Sequence, residues 1–317
     1  MKAVFLDRQT FSENICLDDL TRQLTHLEVY DFTAPSQVLT RCQNAEIILT
    51  NKVELTAELL EQLPQLKLVC ITATGINNID IDAAKALNIA VTNVSGYAKQ
   101  SVAQYVFAQL LNYFSQPNHH SDNVANGLWQ HSASFCLHGN GSIELAGKTL
   151  GIVGYGSLGQ AVATIAQAFG MQVLISERPN AKAIRAGRIA FEQLTQQVDI
   201  LSLHCPQTLD TEQLINAAVL KKMKKSAVLI NTARGALVNE TDLLQALNQG
   251  EIAHAILDVI SQEPPSADHP LLREQPSNLV ITAHIAWASI EAQQRLINLV
   301  ADNIAAFKQG KLVNRIA

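Results

Sequence analysis

The sequence predicts an α/β fold in which two doubly wound parallel sheets form two domains with a cleft between them. The chain has 317 residues, a length that suits about two domains of roughly 150 residues each. Short apolar runs alternate with helical stretches along most of the chain, and this alternation is typical of parallel strands joined by right-handed crossovers. A long helix and a polar stretch interrupt the alternation, and we expect the second domain to begin close to the start of that helix.

Composition and charge exclude several classes of protein. Apolar residues make up 48% of the chain and charged residues 16%, which excludes a disordered or acidic-tail protein. The 23 basic residues are outnumbered by 28 acidic residues, so the excess of positive charge that nucleic-acid binding requires is missing. No apolar run approaches the roughly 18 residues that a membrane span needs. We therefore expect neither a nucleic-acid nor a membrane partner.

The N-terminus and the cysteines indicate a cytoplasmic protein. The first apolar run looks briefly like a secretory signal, but Asp7 and Arg8 end it too early, and we interpret it as a first strand. The five cysteines are odd in number and widely spaced, without a C-x-x-C pair. Free thiols in a reducing compartment are the expected state of such cysteines.

The first series of elements predicts a small domain of five strands. Its strand candidates are the apolar runs at residues 2–6, 27–30, 46–50, 67–72 and 89–92. Its helical candidates lie between them, at residues 18–24, 35–42, 56–63 and 81–87. Strands that alternate with helices in this way build a parallel sheet that is covered on both faces.

A long helix and a polar arm separate the two series. Residues 99–114 carry apolar side chains mostly at helical spacing, whereas residues 115–142 are polar and contain several glycines, so we expect an irregular arm there. The second series predicts six strands, at residues 149–153, 172–175, 199–203, 227–231, 254–258 and 279–281. A final helix at residues 291–307 is expected to return to the first domain. The predicted domains are residues 1–96 with 289–317, and residues 97–288.

The second series opens with a glycine-rich turn between a strand and a helix. Residues 151–159 read Gly-Ile-Val-Gly-Tyr-Gly-Ser-Leu-Gly and contain the pattern G-x-G-x-x-G, just before a helix predicted at residues 160–169. The glycines permit a tight turn, close approach of a pyrophosphate and close packing of the helix on the sheet. The helix N-terminus offers free N–H groups to the phosphates. The residues predicted to bind them are Gly154, Gly156, Ser157, Leu158 and Gly159.

Glu177 and Arg178, which follow the next strand, bear on whether NAD or NADP binds. Glu177 stands 18 residues after Gly159, close to the roughly 20 expected for an acidic residue that binds the adenosine ribose. A carboxylate there accepts hydrogen bonds from ribose hydroxyls and repels a 2′-phosphate, so we expect NAD as the cofactor. Arg178 follows directly and offers a site for that phosphate, which keeps NADP as an alternative.

Three further segments follow strands of the second series, at the sheet edge where doubly wound sheets bind ligands. They read Asn231-Thr-Ala-Arg234-Gly235, Leu257-Asp258-Val259 leading to Glu263-Pro264, and Ala283-His284-Ile-Ala-Trp287. In these segments and the glycine-rich turn, the chain resembles the D-isomer-specific, NAD-dependent 2-hydroxyacid dehydrogenases. The motifs occur in the family's order and at its spacing, and the resemblance covers nearly the whole chain.

Two more runs resemble one branch of that family. Residues 73–80 (Ala-Thr-Gly-Ile-Asn-Asn-Ile-Asp) and 101–104 (Ser-Val-Ala-Gln) look most like the glycerate dehydrogenase, or hydroxypyruvate reductase, branch. The resemblance implies a Rossmann nucleotide domain and a smaller flavodoxin-like substrate domain. It also implies reduction of hydroxypyruvate or glyoxylate, or oxidation of D-glycerate.

The chemistry of three residues agrees with this resemblance. Reduction of a 2-keto acid needs a hydride donor, a proton donor and an anchor for the carboxylate. Arg234 suits the anchor because its planar guanidinium donates paired hydrogen bonds. His284 suits the proton donor because imidazole titrates near neutral pH. Glu263 suits the partner that orients the ring.

The resemblance also implies contacts for residues with weaker signals of their own. On the cofactor side these are Cys205, Pro206, Thr211, Thr232, Ala233, Arg234 and Asp258, the last at the nicotinamide carboxamide. On the substrate side they are Gly75, Ile76, Arg234, His284 and Trp287. No base neighbours Cys205 in a recognisable motif, so we do not expect it to be a nucleophile. The histidines lack the spacing of a metal site, and we expect no metal.

Two other functions stay open at this level. The carboxy-terminal-binding corepressors share this scaffold, which leaves a nucleotide-sensing binding module as an alternative, although their long disordered tail is missing here. Formate, phosphite, D-lactate and 3-phosphoglycerate dehydrogenases form a second alternative, the last disfavoured because no regulatory domain follows residue 317. Two-fold dimers are the commonest oligomers, and we expect a homodimer formed through residues 99–114 and the arm.

Overall fold

The structure, a computed structural model, describes residues 1–139, 141–311 and 313–317. These residues form two units. The first comprises Met1–Ala98 and Trp287–Ala317, and the second comprises Lys99–Ala286. The boundaries lie two residues from the expected ones at positions 96 and 289.

The first unit is built on a five-stranded parallel sheet. Its strands are β1 (Lys2–Phe5), β2 (His26–Val29), β3 (Ile47–Thr50), β4 (Leu68–Ile71) and β5 (Ala90–Thr92). They are ordered β2-β1-β3-β4-β5, and all neighbours are parallel. This is the flavodoxin-like order. Every residue of β3 and β4 is buried, because both faces of a central parallel strand are covered.

Four short helices connect these strands. They are α1 (Asp18–Gln23), α2 (Val38–Cys42), α3 (Ala57–Glu61) and α4 (Ile81–Ala86). Capping side chains fix where two of them begin, since Thr56 accepts a hydrogen bond from the N–H of Leu59 and Asp80 accepts one from Ala83. A 3₁₀ turn at Pro35–Gln37 precedes α2, where the sequence predicts one continuous helix.

The second unit is built on a six-stranded parallel sheet. Its strands are β6 (Thr149–Val153), β7 (Gln172–Ile175), β8 (Ile200–Leu203), β9 (Val228–Asn231), β10 (His254–Leu257) and β11 (Leu279–Ile281). They are ordered β11-β10-β9-β8-β6-β7. The order reverses between β6 and β8, and a doubly wound sheet binds its ligand outside the carboxyl ends of strands at such a point. β8, β9 and β10 are buried throughout.

The remaining helices complete both units. Those of the second unit are α5 (Lys99–Ser115), α6 (Pro117–Ala125), α7 (Ser157–Ala168), α8 (Phe191–Gln197), α9 (Ala217–Leu220), α10 (Glu240–Gln249) and α11 (Pro270–Glu274). Helix α12 (Ile290–Lys308) belongs to the first unit and packs against α1. No helix in the described ranges is long and apolar enough to cross a membrane. The predicted fold class, two parallel-sheet α/β domains, is confirmed.

Helix α6 corrects one sequence prediction. The sequence predicts an irregular arm at residues 115–142, but Pro117–Ala125 are helical. Pro117 occupies the first turn, where its fixed φ and missing N–H are tolerated. No side chain of α6 is buried, so the helix lacks the apolar face by which helices are recognised in sequences. Residues 126–139 contain no further helix or strand, as expected for the rest of the arm.

Candidate active site

The glycine-rich turn joins β6 to α7 as the sequence predicts. Gly154 has a φ of +95°, a conformation that side-chain-bearing residues avoid. A Cβ at Gly154 would overlap the backbone nitrogen of Cys205, and a Cβ at Gly159 would overlap the carbonyl oxygen of Gly154. Glycine at both positions therefore allows the turn to pack closely on β8 and on α7.

Open space lies in front of helix α7. Gly156 caps the helix, and a Cβ placed there would meet nothing within 4 Å. Helix α7 begins at Ser157, three residues earlier than expected. The first N–H groups of a helix have no partner within it, so those around Ser157 and Leu158 are available to an anion. This arrangement fits the pyrophosphate of a dinucleotide.

Two buried polar atoms that follow β8 and β9 lack a hydrogen-bond partner in the described part of the chain. They are His204 Nδ1, directly after β8, and Thr232 Oγ1, directly after β9. Buried polar atoms are normally hydrogen-bonded, so both atoms are available as partners for a bound molecule. This observation also fits a dinucleotide at the carboxyl ends of the central strands.

Glu177 lies after β7, as predicted, but its carboxylate is bound by the loop that follows. The guanidinium of Arg185 donates to both oxygens, and the backbone N–H groups of Arg178 and Arg185 donate to Oε1 and Oε2 at 2.8 and 3.1 Å. The Glu177 side chain is 2% exposed, while that of Arg185 is 52% exposed. The hydrogen bonds from Arg185 hold the pKa of Glu177 well below its usual range. The neighbouring cation weakens the repulsion that Glu177 alone would exert on a 2′-phosphate.

The catalytic candidates follow three neighbouring strands. β9, β10 and β11 pair in register at their last residues, and each strand is followed by one of the three segments that carry Arg234, Glu263 and His284. Because the strands are parallel, the three segments leave the sheet at the same edge, which is also the edge of the glycine-rich turn.

His284 and Glu263 form a hydrogen-bonded pair. The ring Nδ1 of His284 donates to Oε2 of Glu263 at 2.6 Å. Both side chains are partly exposed, so a ligand can reach them. A carboxylate on Nδ1 fixes the tautomer and orientation of the ring and leaves Nε2 for the ligand.

Asp258 holds the turn that carries His284. Its Oδ1 accepts hydrogen bonds from the Thr282 hydroxyl at 2.7 Å and the Ile285 N–H at 2.9 Å, and its Oδ2 accepts one from the Ala286 N–H at 2.8 Å. These bonds support His284 at a φ of +55°, which few residues other than glycine adopt. The contact of Asp258 with a carboxamide, implied by the family resemblance, stays a prediction.

Arg234 is half-buried, and in the described ranges no carboxylate lies within ion-pair distance of it. Its guanidinium donates to the carbonyl oxygen of Ala233 at 2.6 Å. The Asn231 side chain donates to the carbonyl oxygen of Arg234 at 2.8 Å and fixes the turn after β9. An arginine without a counter-ion at a ligand-binding edge suits an anionic ligand.

The turn after β8 contains Cys205, Pro206 and Thr211, which are also predicted on the cofactor side. Burial raises the pKa of the Cys205 thiol to about 11, which keeps it protonated at neutral pH and argues against a nucleophile. The Thr211 hydroxyl donates to the carbonyl oxygen of Pro206 at 2.8 Å and accepts from the Thr208 N–H at 2.8 Å. Thr211 therefore closes this turn, and its contact with a cofactor stays a prediction.

Gly75, Ile76 and Trp287 belong to the first unit. The first two lie in the segment after β4. The Trp287 ring packs edge-on against Phe11 and Tyr97, with ring centroids 5.8 and 6.1 Å apart. This packing fixes the indole within its own unit, and the contact of all three residues with a substrate stays a prediction.

Two residues without a local sequence signal support the site. The Tyr105 hydroxyl on α5 shares a hydrogen bond with Thr282, and Gln109 donates to the same hydroxyl at 3.0 Å. Tyr105 and Thr282 are 177 residues apart, so no short-range pattern reveals this contact. Across residues 1–139, 141–311 and 313–317, no three His, Cys, Asp or Glu side chains are grouped to hold a metal ion.

A glycine-rich turn before a helix and a hydrogen-bonded His–Glu pair at one sheet edge suit a nicotinamide-dependent oxidoreductase. Comparison with known families agrees, since the model described as "D-isomer specific 2-hydroxyacid dehydrogenase, NAD binding domain" matches residues 107–286. The chain belongs to the D-isomer-specific 2-hydroxyacid dehydrogenase family and is an NAD(P)-dependent enzyme acting on the CH–OH group of a small hydroxy acid. The predicted family is confirmed.

Individual relatives extend over most of the chain. Glycerate dehydrogenase of Methylorubrum extorquens is 41% identical over 317 residues, covering 99% of this chain and 98% of the relative. Hydroxypyruvate reductase of Blautia hydrogenotrophica is 38% identical over 292 residues, covering 90% of both. Among solved structures, an acyclic imino acid reductase (Bsp5) in complex with NADPH and D-Arg has a TM-score of 0.85 at 30% identity and 100% coverage of both chains.

Proposed function

We propose that this enzyme reduces hydroxypyruvate or glyoxylate, or oxidises D-glycerate, and that Arg234, Glu263 and His284 carry out the reaction. The observation that carries the proposal is the 2.6 Å hydrogen bond between His284 and Glu263, at the sheet edge that also holds the glycine-rich turn. The relatives named glycerate dehydrogenase and hydroxypyruvate reductase support the substrate class.

Each of the three residues has a distinct task in reduction. A reduced nicotinamide, when bound, would supply the hydride for C2 of the keto acid. Arg234 binds the carboxylate or the carbonyl oxygen of the acid through paired N–H groups. His284 donates the proton on Nε2 to that carbonyl oxygen as its C–O double bond becomes single. Glu263 accepts from Nδ1 and stabilises positive charge on the ring. In oxidation, His284 accepts the alcohol proton.

The proposal extends to the other ligand contacts and to the assembly. The turn at residues 154–159 and the residues after β7, β8, β9 and β10 hold the dinucleotide, and Gly75, Ile76 and Trp287 contact the substrate. The enzyme works in the cytoplasm, where free cysteines persist. It forms a homodimer, a state supported by the exposed apolar side chains of the arm. These are Val124, Leu128, Trp129 and Phe135, with Ile143 directly after the arm.

A substrate panel tests the proposed chemistry. Oxidation of NADH and of NADPH is measured with hydroxypyruvate, glyoxylate and pyruvate, and we expect hydroxypyruvate or glyoxylate to react fastest. His284→Gln should lower kcat by about 10²- to 10⁴-fold, the typical contribution of a positioned acid or base. Arg234→Ala should raise KM for the keto acid and lower kcat/KM, because the anion loses its anchor.

Matched controls separate these roles from general damage. His26→Gln and Arg22→Ala change exposed residues of the first unit and should leave turnover unchanged. NADH binding, followed by fluorescence, should persist in His284→Gln. Turnover near the wild-type value in both His284→Gln and Arg234→Ala would refute the residue roles. Failure of every acid in the panel would refute the substrate class.

A further inference from the structure

The loop that carries Glu263 is bound by a second glutamate that the proposed chemistry does not use. Glu240 is the first residue of α10. Its Oε1 accepts a hydrogen bond from the Ser261 N–H at 2.6 Å, and its Oε2 accepts one from the Ser261 hydroxyl at 2.7 Å. The Nε2 of buried His269 lies 3.2 Å from the same Oε2. Three groups of the β10–α11 connection therefore converge on one carboxylate.

Gly235 contacts the backbone between Ile260 and Ser261 on the side opposite Glu240. A Cβ at Gly235 would overlap the carbonyl carbon and oxygen of Ile260, so the two backbones are in direct contact, and only glycine permits this approach. The peptide between Ile260 and Ser261 thus lies between Gly235 and Glu240. Both of these residues belong to the segment that follows Arg234.

A short series of hydrogen bonds leads from this peptide to the histidine. The Ile260 N–H donates to Oε1 of Glu263 at 3.2 Å, and Oε2 of that carboxylate accepts from His284 Nδ1 at 2.6 Å. Residues 261–268 are exposed, so burial does not fix this part of the loop. The contacts at residues 260 and 261 can fix it instead.

We propose that Glu240 is a positioning residue, which binds Ser261 and thereby fixes the carboxylate of Glu263 against His284. Hydrogen bonds to a carboxylate are shorter and stronger than neutral ones, and the N-terminus of α10 stabilises the negative charge of Glu240. Because Gly235 and Glu240 stand one and six residues after Arg234, these contacts connect the segment that carries the substrate anchor to the loop that carries Glu263. The inference rests on the proposed roles of Glu263 and His284.

A double-mutant cycle tests this inference. Glu240→Ala removes the acceptor oxygens and should lower kcat about 10- to 100-fold, a loss typical of small displacements of reacting groups, with little change in KM. In a Glu263→Gln background the same substitution should cost less than about twofold, because the group that Glu240 positions is already lost. Glu240→Gln keeps one acceptor for the Ser261 N–H and should recover part of kcat. NADH affinity, measured by fluorescence, should match the wild type throughout.

Asp242→Asn is the matched control. Asp242 also lies in the first turn of α10 and accepts from a backbone N–H, that of Ala217 at 2.8 Å, but its partner is on α9. This variant should lose thermal stability while kcat stays near the wild-type value. If Glu240→Ala is poorly folded, Ser261→Ala, which removes only the hydroxyl, replaces it in the cycle.

The outcomes distinguish the inference from the proposed function. Equal losses of kcat in both backgrounds, or a wild-type kcat for Glu240→Ala beside an impaired Glu263→Gln, would overturn the positioning role alone. Wild-type turnover of Glu263→Gln itself would overturn the proposed role of Glu263 and the positioning role together.

Discussion

Two glutamates of the second unit illustrate how a charged neighbour decides what a carboxylate binds. Glu177 and Glu263 both follow strands of one sheet, but Glu177 is bound by Arg185, whereas Glu263 contacts the ring of His284. Spacing from the glycine-rich turn predicts the position of Glu177 correctly. Arg185 stands eight residues further on, in a loop without regular structure, and no local pattern marks it as the partner.

Arg185→Ala should shift cofactor preference toward NADH. Without Arg185, the Glu177 carboxylate regains oxygens for the ribose hydroxyls, and its uncompensated charge repels a 2′-phosphate. We expect the ratio of the NADPH to the NADH dissociation constant to rise by roughly tenfold, which corresponds to about 1.4 kcal/mol. Fluorescence titration with each cofactor measures both constants.

A cation elsewhere in the same loop provides the control. Lys182 is exposed, so Lys182→Ala removes one positive charge without freeing Glu177. The ratio of dissociation constants should change less in Lys182→Ala than in Arg185→Ala. Equal ratios in the two variants would contradict a specific effect of Arg185 and leave only a general effect of loop charge.

Among the helices and strands, burial decides how well the sequence predicts the structure. The six strands of the second unit begin and end within one residue of their predicted bounds, because continuous apolar runs identify buried parallel strands. The sequence does not predict helix α6, because this helix buries no side chain. The residues of the site also differ in how well the sequence predicts them. Their positions after predicted strands mark His284 and Glu263 as candidates. The contact of Glu240 with Ser261, 21 residues away, depends on how two loops pack and has no local pattern.

Two substitutions in the β6–α7 turn should affect stability and cofactor binding differently. Gly154→Ala forces a side chain onto a φ of +95° and against Cys205, so it should lower stability by at least about 1–2 kcal/mol and weaken NADH binding. Gly156→Ala adds a methyl group with nothing within 4 Å, at a φ of −85°. Its melting temperature should stay near the wild-type value while NADH affinity falls, because the methyl group occupies the space proposed for the phosphates.

Thermal unfolding and NADH titration of the two variants check this separation. A Gly156→Ala variant that binds NADH as tightly as the wild type would refute the proposed phosphate position. A Gly154→Ala variant with unchanged melting temperature would contradict the close packing of the turn against the residues after β8.

For the molecule as a whole, the distribution of exposed apolar side chains bears on assembly. Five of the fourteen large apolar side chains that are exposed in the described ranges lie between residues 124 and 143. Clustered apolar exposure marks interaction surfaces. Helix α5 packs against α7 in its own unit, so the arm presents more free apolar surface than the helix that precedes it. The arm is therefore the part of the proposed dimer surface most sensitive to substitution.

Charges placed on the arm should separate the proposed dimer into monomers. Leu128→Asp with Phe135→Asp changes two exposed apolar residues of the arm, the second of them 89% exposed. Buried in an interface, the new carboxylates lose hydration without gaining partners, which disfavours association. Sedimentation of the wild type at micromolar concentration should give a dimer, and the double variant a monomer. Phe32→Asp, at a residue of the first unit that is 60% exposed, is the control and should stay dimeric. A wild type that sediments as a monomer would remove the proposed dimer, and a dimeric double variant would move its interface away from the arm.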